Sequence, residues 1–139
     1  AVVKTIGDSV MAIFPKPANA VRAFYKADQI FKENTDHDPP IELKGGIHTG
    51  DCMAVTLNNR IDYFGNTVNV ASRLVGFAGG SEVVISSEAY SCSELKDYVR
   101  TREHSLKKHF REVTFKGFEN ESFEILQMSH KQSPLRLVV

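Results

Sequence analysis

The period of apolar and polar positions changes several times along the chain, and each change marks an element. Ala1 to Ile6 is β-rich, Gly7-Asp8-Ser9 is turn-like, and Val10 to Phe14 is apolar on both faces. These runs predict a hairpin with Asp8 at its tip. Pro15 and Pro17 end the second strand, and Pro17 suits the first turn of a helix. Ala20, Phe24, Ala27 and Phe31 then recur at helical spacing, with Val21 alongside, which predicts an amphipathic helix of roughly 16 residues. Asp36, His37 and Asp38 precede Pro39-Pro40 and read as a solvated loop, not a metal site.

Ile41 to Ile47 alternates, and Met53 to Leu57 is β-like again, with a turn at His48-Thr49-Gly50-Asp51 between them. Leu57 to Arg60 is a polar turn. A second helix runs through Asn69 to Phe77, with Asn66 or Thr67 as its N-cap and Gly76, Gly79 and Gly80 ending it. Glu82 to Ser86 predicts a short buried strand, and Ser87 to Val99 a short helical stretch. Val113–Phe118 and Ser122–Met128 predict a terminal hairpin around Glu119-Asn120. Residues 130–139 read as a tail whose Leu135, Leu137, Val138 and Val139 are suited to docking on a partner. Strands alternating with helices, several joined as hairpins, predict an α+β fold: a ferredoxin-like antiparallel sheet with helices packed on it.

At 139 residues the chain is the size of one domain. Apolar residues make up 42% and charged residues 24%, which excludes a disordered or low-complexity segment. Seventeen basic residues balance seventeen acidic ones, so nothing indicates a nucleic-acid binder and any anion site must be local. Cys52 and Cys92 make neither a disulfide framework nor a zinc cluster. A reducing, cytoplasmic setting is the simpler expectation. No apolar run approaches the roughly 20 residues of a membrane span, and no direct membrane contact is expected from this segment. Opening on strand composition without Met, the chain reads as a domain entered partway through.

Three clusters are candidates for chemistry. Asp8 at a tight turn is either a solvated turn residue or a metal carboxylate, and Lys4 is a charge inside an otherwise apolar strand. Asn69 and Arg73 are four apart and share a helix face, in a stretch whose β-branched residues are not chosen for helicity. An amide and a guanidinium side by side near a helix N-terminus can hold a phosphate; the plainer alternative is a capped helix with a surface Arg. Lys116, before Gly117 on the terminal hairpin, is by itself no more than a solvated strand residue.

Lys-Thr-Ile-Gly-Asp, Gly-Ile-His-Thr-Gly, Tyr-Phe-Gly-Asn-Thr-Val-Asn-Val-Ala-Ser-Arg-Leu, Val-Val-Ile-Ser and Phe-Lys-Gly-Phe occur in this order. With them the chain resembles the catalytic domain of class III adenylyl and guanylyl cyclases over residues 1–129, and residues 130–139 form the tail. The resemblance implies conversion of a nucleoside triphosphate to a 3′,5′-cyclic monophosphate and pyrophosphate. It implies two Mg²⁺ or Mn²⁺ ions and a dimer whose sites draw residues from both subunits, either a homodimer or a pair with another cyclase chain. By resemblance, Asp8 is the second of two metal aspartates, Lys4 and Asp62 read the base, and Asn69 orients the ribose. Arg73 meets transition-state charge and Lys116 binds the triphosphate.

Asp62 accepts and Lys4 donates, which complements adenine. Guanylyl members of the family carry Glu and Cys at these two places, so the resemblance implies ATP as substrate. The alternatives are a non-catalytic partner module and, less favoured, a guanylyl cyclase. The family's opening strand, with the first metal aspartate, has no counterpart here, so these 139 residues alone are expected to be inactive.

Overall fold

Glu82–Ser86 carries the apolar run Val83-Val84-Ile85, and such runs suit strands covered on both faces. In the computed structural model it forms β6 at the centre of the molecule. The structure describes residues 2–34, 36 and 39–131. The expectations for His37 and Asp38, and for the tail residues Leu135, Leu137, Val138 and Val139, fall outside the described residues.

β6 pairs in parallel with β3 (Lys44–Ile47) and antiparallel with β8 (Phe123–His130), which in turn pairs antiparallel with β7 (Leu106–Val113). The order β3-β6-β8-β7 makes one four-stranded sheet. The α+β architecture is as read, with one parallel pair within it. Alternate residues of β6 face two layers of core. Val83 and Ile85 join Leu126, Met128, Val21, Leu95 and Val99, beneath α1 (Pro17–Glu33), α3 (Ser87–Tyr90) and α4 (Ser93–Thr101). Val84 turns the other way to Ile125, Phe123 and Val113, beneath α2 (Asn66–Leu74) with its Val70 and Leu74. Each such fully buried aliphatic side chain stabilises by about 1.5–3 kcal/mol relative to exposure.

Two further hairpins stand outside this sheet, each its own two-stranded ladder. β1 (Val2–Ile6) and β2 (Ser9–Ala12) meet at Ile6 and Ser9, leaving Gly7 and Asp8 as the turn. β4 (Met53–Leu57) and β5 (Arg60–Phe64) turn through Asn58 and Asn59. Both asparagines have positive φ, 50° and 61°, as a two-residue hairpin turn with the twist of its strands requires.

Several boundaries differ from the sequence reading. The terminal hairpin is there, but its first strand is Leu106–Val113, because Lys107, Lys108 and Arg111 hide its alternation. Lys116 therefore lies in the turn after β7 and not on a strand. β5 was not foreseen, since Arg60 and Asp62 interrupt its apolar pattern. β3 begins at Lys44, not Ile41, and β2 ends at Ala12. The buried stripe of α1 is Ala18, Val21, Tyr25 and Asp28, while Phe31 is exposed. Asp28 tolerates burial because its Oδ1 accepts from Leu43 N at 3.1 Å and Ser81 Oγ at 3.0 Å, while Lys32 Nζ lies 2.9 Å from Oδ2.

Candidate active site

Lys4 and Asp62 are 58 positions apart in sequence, and the fold brings Lys4 Nζ within 2.7 Å of Asp62 Oδ2. This accounts for a charge within β1. The β1–β2 hairpin lies against β5, and the ammonium finds its partner there. Asp62 Oδ1 accepts from Tyr63 N at 2.8 Å. The hydrogen bond from Lys4 holds the Asp62 carboxyl below the usual carboxylate range, with the Tyr63 amide adding to the effect against partial desolvation. Both side chains remain partly exposed, at 35% and 20%, so each keeps capacity for a further hydrogen bond.

α2 begins directly after β5. Its N-cap is Gly65 at φ 128°, a conformation that L side chains rarely adopt, and no side chain caps it. Asn66 and Thr67 were the expected caps. Instead, the Thr67 hydroxyl donates to the Asp51 carbonyl and ties the start of α2 to the loop before β4. Gly50 leaves room for that contact, since a Cβ there would meet Thr67 Oγ1 at 2.6 Å.

Asn69 and Arg73 are exposed on one face of α2, opposite the buried Val70 and Leu74. Arg73 stands in the last turn of the helix, not near its N-terminus. The expected help from the helix N-terminus is therefore absent at Arg73. The C-terminal end favours a cation, and the guanidinium itself is the anion handle. No ion pair engages Arg73 among the described residues.

Lys116 is exposed, but its turn is anchored from both sides. Phe115 stacks on Phe123 at 4.7 Å, Phe118 meets Phe123 edge-on at 5.7 Å, and both pack on the cluster that holds Val70 and Leu74. Lys116 thus belongs to the α2 side of the sheet. Asp8 is exposed at its hairpin tip, in the turn between Ile6 and Ser9. Among the described residues no group of three or more His, Cys, Asp or Glu could hold a metal ion. A small divalent cation asks for about six oxygen ligands. Mg²⁺ is commonly held by one or two protein carboxylates with waters completing its shell, and Asp8 presents one exposed carboxylate.

The structure thus joins Lys4 to Asp62 and aligns Asn69 with Arg73. It leaves Asp8 and Lys116 apart from both pairs. The reading of the sequence missed His48. Its Nδ1 lies 2.7 Å from the fully buried Ser86 Oγ, which also accepts from Ala89 N at 3.3 Å and so caps α3. Burial pushes the His48 pKa down, against a weaker pull from Glu88, whose Oε2 is 3.9 Å away.

Comparison with known proteins identifies the family. The family described as "Adenylate and Guanylate cyclase catalytic domain" matches residues 1–127, and the chain belongs to it. A relative, the pH-sensitive adenylate cyclase MT1302 of Mycobacterium tuberculosis, is 38% identical over 84 residues, covering 60% of this chain and 19% of that protein. The chain spans about a fifth of the length of the curated relatives it matches. A solved adenylate cyclase structure from Trypanosoma brucei superposes with a TM-score of 0.70 at 21% identity, over 91% of this chain and 68% of the other. An adenylate/guanylate cyclase/hydrolase from Silicibacter pomeroyi gives 0.64 at 26% identity, over 92% and 71%. No helix among the described residues is long and apolar enough to cross a membrane.

Proposed function

We propose that this chain is the larger part of an adenylyl cyclase catalytic domain, which converts ATP to 3′,5′-cyclic AMP and pyrophosphate as a dimer. One observation carries the reading: the Lys4–Asp62 pair, 2.7 Å apart, in an otherwise apolar strand environment. Together they present a donor and an acceptor side by side. Adenine offers an acceptor ring nitrogen next to a donor amino group, which is the complementary order. Lys4 keeps two N–H donors beyond the one directed at Asp62, and Asp62 keeps free lone pairs to accept from the amino group.

Asn69 orients the ribose from the exposed face of α2. Arg73, free of ion pairs among the described residues, spreads its charge over the phosphate oxygens as negative charge builds during displacement. Lys116 neutralises the triphosphate as a point charge. Mg²⁺ or Mn²⁺, bound by Asp8 together with a carboxylate from outside the described residues, would acidify the attacking 3′-hydroxyl.

Two features support the remainder. β2 and β3 belong to different ladders yet both line one cavity of about 330 Å³, which also takes in Val68, Ala71 and Val75 of α2. That gap suits the family's opening strand, which would bring the second carboxylate. Outside that gap both outlying hairpins expose apolar side chains: Val2 on one, Met53, Leu57 and Ile61 on the other. Such patches mark protein interfaces, which supports a dimer.

The test is cyclic-nucleotide formation by the complete catalytic domain with Mn²⁺, from ATP and from GTP. Cyclic AMP as the main product supports the reading, and Arg73→Ala should lower kcat far more than it raises KM. Cyclic GMP alone, or no product from either nucleotide, contradicts it.

A further inference from the structure

Lys4 is held from two sides. Besides its contact with Asp62, its Nζ lies 5.5 Å from the centroid of the Phe64 ring. Asp62 and Phe64 are two apart on β5, so both side chains leave the same face of the strand. Tyr63, between them, turns to the cavity shared with α2. Phe64 is 42% exposed and meets no other aromatic ring among the described residues, so core packing does not explain it.

An ammonium on a four-carbon stem has no preferred direction of its own. A carboxylate sets one contact but leaves the ammonium free to swing around it. The negative face of an aromatic ring supplies a second, independent restraint. It consumes no N–H donor in a directed hydrogen bond, so donors remain for a ligand.

We propose that Phe64 is a positioning residue for base selection, fixing the direction in which Lys4 presents its free N–H donors. The inference rests on the reading of Lys4 and Asp62 as the base-recognising pair. Removing the ring lets Lys4 reach a guanine carbonyl as easily as an adenine ring nitrogen, so discrimination weakens while folding is retained.

The experiment measures kcat/KM for ATP and GTP in the complete catalytic domain for wild type, Phe64→Leu, Phe64→Trp and Lys4→Ala. Phe64→Leu should lower the ATP/GTP ratio about two- to fivefold, the size of one partly exposed ring–cation contact. Phe64→Trp should keep the ratio, because it keeps a π-face. If Lys4→Ala collapses the ratio while Phe64→Leu leaves it unchanged, the base-recognising pair stands and the role of Phe64 is refuted. An equal loss toward both nucleotides in Phe64→Leu also refutes it, and makes Phe64 an interface or packing residue. If neither variant moves the ratio, base recognition by Lys4 fails, and Phe64 falls with it.

Discussion

Gly46 is where the sheet admits the helix that carries Asn69 and Arg73. A Cβ at Gly46 would press on the Ala71 carbonyl oxygen and lie 2.9 Å from Val75 N and 3.0 Å from Val75 Cγ2. The first two are backbone atoms of α2 and the turn that follows it, so no side chain can rotate away. Ordinary contact is about 3.5 Å, which means the helix must lift by roughly half an ångström or more. Overpacking of this kind costs about 1–3 kcal/mol. In a domain of this size Gly46→Ala should therefore lower Tm by about 3–10 °C. The displacement is at α2, so kcat in the complete domain should fall by roughly ten- to a hundredfold. The ATP/GTP ratio, set on β1 and β5, should hold.

Gly45→Ala is the control. Its Cβ would face the Phe24 ring at 2.8 Å and 2.9 Å on the opposite side of the sheet, and a side chain can yield. Differential scanning fluorimetry and steady-state kinetics on both variants make the measurement. A Gly46→Ala protein with wild-type Tm and kcat would refute the close seating of α2. Equal losses in Gly45→Ala would show that β3 tolerates no side chain, whichever helix it faces.

Two other predictions concern buried polar groups. Tyr25 is 8% exposed and its hydroxyl has no hydrogen-bond partner among the described residues, so Tyr25→Phe should raise Tm, by roughly 1 kcal/mol of stability; a fall would show that the hydroxyl is bonded in solution. His48 has its pKa lowered in the fold, so the unfolded chain takes up the proton more readily. Its contribution is present above the ordinary value of about pH 6.5 and is lost below it, as pH falls through the lower pKa of the folded state. The Tm of wild type should therefore drop more steeply between pH 7.5 and 5 than that of His48→Gln, and parallel curves would refute the assignment.

Much of this was legible in the sequence wherever one residue type has one physical use. The apolar run Val83-Val84-Ile85 pointed to a covered strand, and β6 is one. Asn69 and Arg73 share an exposed helix face because their spacing demands it. Lys4 in an apolar strand called for a partner, and Asp62 is that partner. Legibility failed where charge masks alternation, as in β5 and β7, and where a tertiary bond replaces a local one. Thr67 looks like a cap but binds Asp51, and Asp28 looks like a surface residue but fastens Leu43 and Ser81. In α1, Val21 and Phe24 meet the core as the spacing suggested, but the buried stripe runs through Ala18, Tyr25 and Asp28 and leaves Phe31 exposed.

The central claim is that Lys4 and Asp62 read an adenine. Replacing them together, Lys4→Glu and Asp62→Cys, reverses the polarity shown to the base. Glu would accept from the ring N–H and amino group of guanine, Cys would donate weakly to its carbonyl, and adenine would lose both matches. The decisive measurement is the ratio of kcat/KM for ATP to that for GTP in the complete domain, before and after this double substitution. A shift toward GTP of roughly two to four powers of ten is expected, with coupling between the neighbours setting the lower end. A ratio that stays unchanged in a folded, active double variant would contradict it.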